Sequence, residues 1–192
     1  MDLLNTHIQT RLKPMAGRML IAEPFQNDPN FSRTVILLCE HENDGSLGFI
    51  LNRPLGESLG DILPETEAYN YPVYVGGPVQ LDSLHLLHCL PDVLGGMEIM
   101  PGVYWGGDFD TVTQLIKSGT IQPGQIRFFL GYSGWNPGQL KTELKEHSWY
   151  VSKATSKQVF FPEEKALWQN AIKALGPRFA AMANFPINPM LN

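Results

Sequence analysis

Several groups of residues in the chain have the types and spacing that chemistry needs. Cys39 and His41 stand two apart in Cys39-Glu40-His41, which on a strand puts both on one face. An imidazole there could take a thiol proton and leave a nucleophile, the basis for a hydrolase or transferase reading. His85, His88 and Cys89 are metal-type side chains. On a strand His85 and Cys89 share a face while His88 takes the other, and no second such group completes four ligands. No metal and no cofactor is expected. Gly131-Tyr132-Ser133-Gly134-Trp135 falls one residue short of the Gly-x-Ser-x-Gly elbow, because Trp135 stands where a glycine must let strand turn sharply into helix. Ser133 is therefore not expected to attack a substrate. Gly138 and Lys141-Thr142 lack the adjacency of a phosphate loop, although a helix opening at Asn136 would present free N–H groups to an anion.

The better candidates sit at segment ends. Glu23-Pro24, Asp28-Pro29, Arg33, Asn52-Arg53-Pro54 and Gly76-Gly77-Pro78 put charged, amide or glycine chemistry where strands leave a core. Arg33, Asn52, Arg53, Gly76, Gly77 and the Tyr132–Trp135 turn form the expected rim pocket. Its arginines would hold an anionic group by forked hydrogen bonds, its glycines would let a ligand approach the backbone, and an aromatic ring could stack. The competing reading is structural: Arg33 and Arg53 pair with Glu23 or Asp28 and fix the loops. Glu163 and Glu164 read as solvated or capping charges.

These residues must be positioned by a central hairpin. Arg33–Glu40 is an apolar run rich in β-branched residues and short for a helix, which reads as a strand buried on both faces. Asp44-Gly45 supplies the turn, Leu47–Leu51 returns, and Pro54 stops the strand. Around it, Gly17–Pro24, Val73–Val75, Leu84–Leu90, a broken Met97–Trp105, Gln125–Leu130, Trp149–Ser152 and Gln158–Phe161 read as extended. Ser58, Asp108 and Asn136 open helices, and Pro162–Leu175 is a helix with Leu167, Trp168, Ala171, Ile172 and Leu175 inward. Residues 1–14 read as an arm or short helix and 185–192 as a tail. Strands cluster early and helices late, which favours an α+β fold with a mainly antiparallel or mixed sheet.

Composition narrows the function. The chain has 192 residues, 43% of them hydrophobic, enough for one domain over residues 1–192 with a sizeable core. The net charge is -5 and the 14 Lys and Arg are dispersed, which disfavours direct nucleic-acid binding. Cys39 and Cys89 lie in apolar runs and are expected as buried reduced thiols. No apolar run approaches the ~20 residues that span a bilayer, and no secretory leader is evident, so a cytoplasmic protein with no membrane partner is expected.

Taken together, Gly17–Pro24, Asp28–Val35, Cys39-Glu40-His41, Gly45–Pro54, Val75–Val79, and Leu130–Trp135 with Gly138-Gln139-Leu140 and Glu143-Leu144 resemble the YqgE/AlgH family of bacterial proteins. The resemblance covers most of residues 17–175. It implies an α+β fold whose bifurcated sheet folds into a pseudo-barrel with flanking helices, and it implies no settled activity. One branch of that family carries a transcriptional, alginate-regulator name. Ser133 stands where the family often has Ala, His88 keeps a family position, and the usual Gly-His-Ala ending is replaced by Phe185–Asn192. The leading expectation is a non-enzymatic binding or regulatory protein taking a small anionic ligand or a protein partner. An enzyme using Cys39 and His41 comes second, and a transcriptional regulator third.

Overall fold

The computed structural model describes residues 12–66 and 70–185. The expected N-terminal arm, apart from residues 12–14, and the expected tail beyond Phe185 lie outside the described residues.

The first hairpin is built from β1 (Arg18–Ala22), β2 (Val35–Glu42) and β3 (Gly45–Ile50). Val35, Leu37 and Cys39 face one apolar cluster while Ile36 and Leu38 face another, so β2 is buried on both sides as its sequence requires. A bulge at Cys39 shifts the register between Leu38 and Glu40, and Glu42 pairs with Gly45. The turn residues are thus Asn43-Asp44, one residue earlier than the sequence suggests. Pro54 does not stop a strand either. β3 ends at Ile50, and Pro54 is the first residue of β4 (Pro54–Ser58), a position where a proline is tolerated.

Ser58 precedes α1 (Leu59–Ile62), and its N–H and hydroxyl both donate to the Asp61 carboxylate. Next come β5 (Pro72–Val75), β6 (Val79–His88), α2 (Pro91–Leu94) and the hairpin of β7 (Met97–Met100) with β8 (Val103–Trp105). Asp108 accepts from Thr111 N–H and caps α3 (Phe109–Lys117), whose Val112 and Ile116 are buried. β9 (Ile126–Trp135) runs straight through the segment expected to turn at Tyr132.

The helix expected from Asn136 begins later, as α4 (Gln139–Lys145). Gly138 takes a left-handed φ of 79° immediately before it, so helical geometry cannot extend back to Asn136. Asn136 stays outside the helix, where its N–H donates to Gln139 Oε1 at 3.0 Å. β10 (Trp149–Lys153) follows, then α5 (Ser156–Phe160) in place of the extended run that the sequence suggests. α5 has a Thr155/Gln158 capping box, which stabilises a helix start over a strand. α6 (Glu164–Ala174) buries Leu167, Trp168, Ala171 and Ile172 as its periodicity requires, and α7 (Pro177–Ala180) packs after it. No helix among the described residues is long and apolar enough to cross a membrane.

The sheet runs β10-β1-β2-β3-β9-β6-β8-β7 and forks at β9. Phe128–Leu130 of β9 lie beside β5, in parallel, while Ser133–Trp135 pair with β3. The pairing of β6 with β9 is antiparallel, as are those within the first hairpin. The path does not close, since β10 and β7 are its two ends. It curls far enough for Ile99 and Val103 to share a core with Met19 and Ile21 of β1, and α5, α6 and α7 contribute to that core. A second core lies on the other face of β9, around Phe128, Val112 and Ile116. The fold is α+β with a bifurcated sheet.

Candidate functional site

Arg33, Asn52 and Arg53 come together at one end of the first hairpin. They line a cleft of about 490 Å³ whose opposite wall is Glu164, Lys165, Trp168 and Gln169 of α6. The loop before β2 makes this possible. Asp28 accepts from the N–H groups of Asn30, Phe31 and Ser32, through its side chain and its carbonyl, and folds the loop into successive turns. Arg33 then takes a φ of 57°, a left-handed conformation uncommon outside glycine, and its side chain lies over α6.

Each of the three side chains has a role within the fold. Asn52 Oδ1 accepts from Val35 N–H at 2.9 Å and its Nδ2 donates to the Arg33 carbonyl at 2.9 Å. One amide thus extends the hairpin ladder past Leu51. Arg53 donates to the carbonyls of Asn30 and Ser32, which secures the loop. Arg33 lies 4.0 Å over the Trp168 ring and donates to the Phe185 carbonyl, while its Nε is buried with no hydrogen-bond partner. The loop is therefore held by hydrogen bonds to carbonyls, with Asp28 adding electrostatic attraction at Arg53. Burial lowers both guanidinium pKa values, with Asp28 opposing the effect at Arg53, and both remain cations.

The other expected residues lie elsewhere. A Cβ on Gly76 would stand 2.2 Å from the Gly131 carbonyl oxygen, and one on Gly77 would stand 2.2 Å from the Tyr132 carbonyl carbon. These glycines let the chain cross β9 at the fork. Backbone, rather than space for a ligand, fills their open sides. Tyr132 and Trp135 border a separate groove of about 400 Å³ with Glu40, Glu42 and Asp44. Trp135 is buried, and its indole N–H donates to Glu143 at 2.8 Å, as does that of Trp149.

Cys39 and His41 are not arranged as a nucleophile and its base. Cys39 continues the face of Val35 and Leu37 into the core, where its thiol donates weakly to the Leu37 carbonyl at 3.8 Å, and burial pushes its pKa well up. His41 Nδ1 instead lies 2.7 Å from the Ser46 hydroxyl. Cys89, also a free thiol, is only partly buried, because β6 ends at His88 and leaves it at the edge of the core. Ser133 is fully buried and donates to the Gly76 carbonyl at 3.0 Å. His88 Nδ1 accepts from Leu90 N–H, and its ring stacks on Tyr104. His85 sits among Phe49, Trp105 and Tyr132.

Sequence reasoning does not place the α6 wall in the site. Glu164, which reads as a solvated or capping charge, accepts from the Tyr74 hydroxyl, and Tyr74 stacks beneath Arg127. The available signal is the position of Trp168 on the inward face of its helix.

Comparison with known proteins gives one consistent result. A family model described as AlgH-like matches residues 19–180. A UPF0301 protein of Chlorobaculum tepidum is 43% identical over 182 residues, covering 94% of this chain and 96% of that one. One from Cytophaga hutchinsonii is 38% identical over 178 residues, covering 92% and 98%. The solution structure of AlgH from Pseudomonas aeruginosa matches with a TM-score of 0.68 at 29% identity, covering 93% of this chain and 98% of that one. The crystal structure of DIP2367 from Corynebacterium diphtheriae matches with a TM-score of 0.77 at 22% identity, covering 92% and 95%, a likeness of fold.

Proposed function

The chain belongs to the AlgH-like family, and from that premise we propose that it is a non-enzymatic binding protein taking a small anionic ligand in the Arg33–Arg53 cleft. The observation that carries this reading is the convergence of two guanidiniums on one cavity, with Arg33 Nε left unpartnered. Arg33 and Arg53 have donors beyond those bound to carbonyls, and Lys165 adds a further cation against the carboxylate of Glu164. Trp168 gives the cavity an aromatic floor, already covered in part by Arg33. A net charge of -5 favours a small anion over nucleic acid as the occupant. Two free cysteines fit a cytoplasmic setting.

A thermal-shift screen against phosphate, pyrophosphate, citrate and nucleotides tests the reading. A ligand at about a hundred times its Kd stabilises the native state by about 2.7 kcal/mol, which a melting curve resolves. The expected result is a class of anions that raises the melting temperature of the native chain and loses that effect in Arg33→Lys and Arg53→Lys. Equal shifts in both variants, or none with any anion, would overturn it.

A further inference from the structure

A second cavity, of about 480 Å³, is lined by different residues from the Arg33–Arg53 cleft, with the Tyr74–Glu164 hydrogen bond between the two. Tyr71 borders it from just before β5 and Tyr74 from within that strand, Ile121 from the loop after α3, Arg127 from β9, and Phe160 and Phe161 from the end of α5. Its volume is in the range of small-molecule sites, and its walls are mostly aromatic and aliphatic. Such a site needs a polar group to orient its ligand. Arg127 is the charged side chain on the wall, and it is only 4% exposed.

The guanidinium of Arg127 is held rigidly and left incomplete. Nη1 donates to the Val159 carbonyl at 2.7 Å and Nη2 to the Leu51 carbonyl at 2.8 Å. Its central carbon lies 3.8 Å over the Tyr74 ring. Nε is buried with no hydrogen-bond partner, although a guanidinium has five N–H donors. The acid that acts on it, Glu164, is reached through Tyr74, whose hydroxyl donates to Glu164. Tyr74 and, beyond it, Glu164 offset part of the cost of this buried cation, while Nε itself stays unserved. The Tyr71 hydroxyl is already bound to the Ile121 carbonyl at 2.7 Å, and beside the uncharged amides of Asn70 and Gln122 the cation on the wall is Arg127.

We propose that this cavity is a binding site for a small aromatic carboxylate, its ring among Tyr71, Phe160 and Phe161 and its carboxylate on Arg127. This goes beyond the rim-cleft reading and does not depend on it. Phe161 is 63% exposed and stands at the wall, where a ring from a ligand would cover it.

The test uses the full chain, labelled with ¹⁵N, titrated with naphthalene-2-carboxylate and separately with naphthalene-2-carboxamide. The carboxylate is expected to shift the Arg127 Nε–H resonance together with the backbone amides of Ile121 and Phe161, and the carboxamide to bind roughly tenfold more weakly or worse. Phe161→Glu puts a negative charge at an exposed position without opening the core, and is expected to weaken the carboxylate by a similar factor. Carboxamide binding as tight as carboxylate binding, unchanged affinity in Phe161→Glu, no shifts at the solubility limit, or shifts confined to Arg33 and Arg53 would each overturn the proposal. That last pattern would leave the rim-cleft reading standing.

Discussion

Replacing Asn52 with Ala separates a staple from a ligand group. The Asn52 amide satisfies Val35 N–H and the Arg33 carbonyl, each at 2.9 Å. Val35 is fully buried, so its N–H would find no water in the variant. An unsatisfied buried donor costs about 1–3 kcal/mol. The Arg33 carbonyl belongs to a partly exposed residue and can recover some hydration, adding roughly 0.5–1 kcal/mol. The sum is about 1.5–4 kcal/mol, which for a chain of this size lowers the melting temperature by roughly 3–16 °C. Urea titration followed by tryptophan fluorescence checks it, with a lower midpoint at an unchanged m-value. An Asn52→Ala variant that melts within about 2 °C of the parent would refute the staple assignment.

Arg53→Lys keeps the charge and loses the planar fork, so it is expected to weaken anion binding while costing roughly 1–2 kcal/mol in a melting experiment, for the carbonyl hydrogen bond that Lys cannot remake. A variant that melts much earlier and binds normally would remove Arg53 from the site. Cys39 is expected to react with a thiol reagent only as fast as the protein unfolds, because its buried thiol holds its proton well above the ordinary range. Rapid labelling of Cys39 in the native protein at neutral pH would restore the catalytic reading. Burial also pushes the Tyr150 hydroxyl up to about 12, so the native state holds that proton more tightly than the unfolded chain. Its contribution is complete below about pH 10 and is lost as pH rises towards 12; Tyr150→Phe should flatten the stability profile over that window. Gly77→Ala places a methyl group 2.2 Å from β9 backbone and should cost more than about 4 kcal/mol, read as loss of soluble protein or of the folding transition.

The hairpin, the Asp108-capped helix and the inward face of α6 are legible in the sequence because local patterns determine them: β-branched runs, capping residues and a helical period. The family is legible for the same reason, since its motifs are contiguous. α5 escapes such a reading because a short apolar run fits either period, and the Thr155/Gln158 box that decides it lies at its start. The gathering of Arg33, Asn52 and Arg53 can be anticipated, as all three flank one hairpin. That Gly76 and Gly77 meet the backbone of β9, and that Tyr132 and Trp135 border another groove, cannot. Nor can the meeting of Arg33 with the distant Trp168, or of Arg127 with Leu51 and Val159. Sequence spacing sets which side chains share a strand face or a helix stripe. Which faces then meet depends on the fork at β9, where the sheet divides, and on the packing of α5 and α6 over its core. Both are settled only when the distant segments bury their apolar surfaces together.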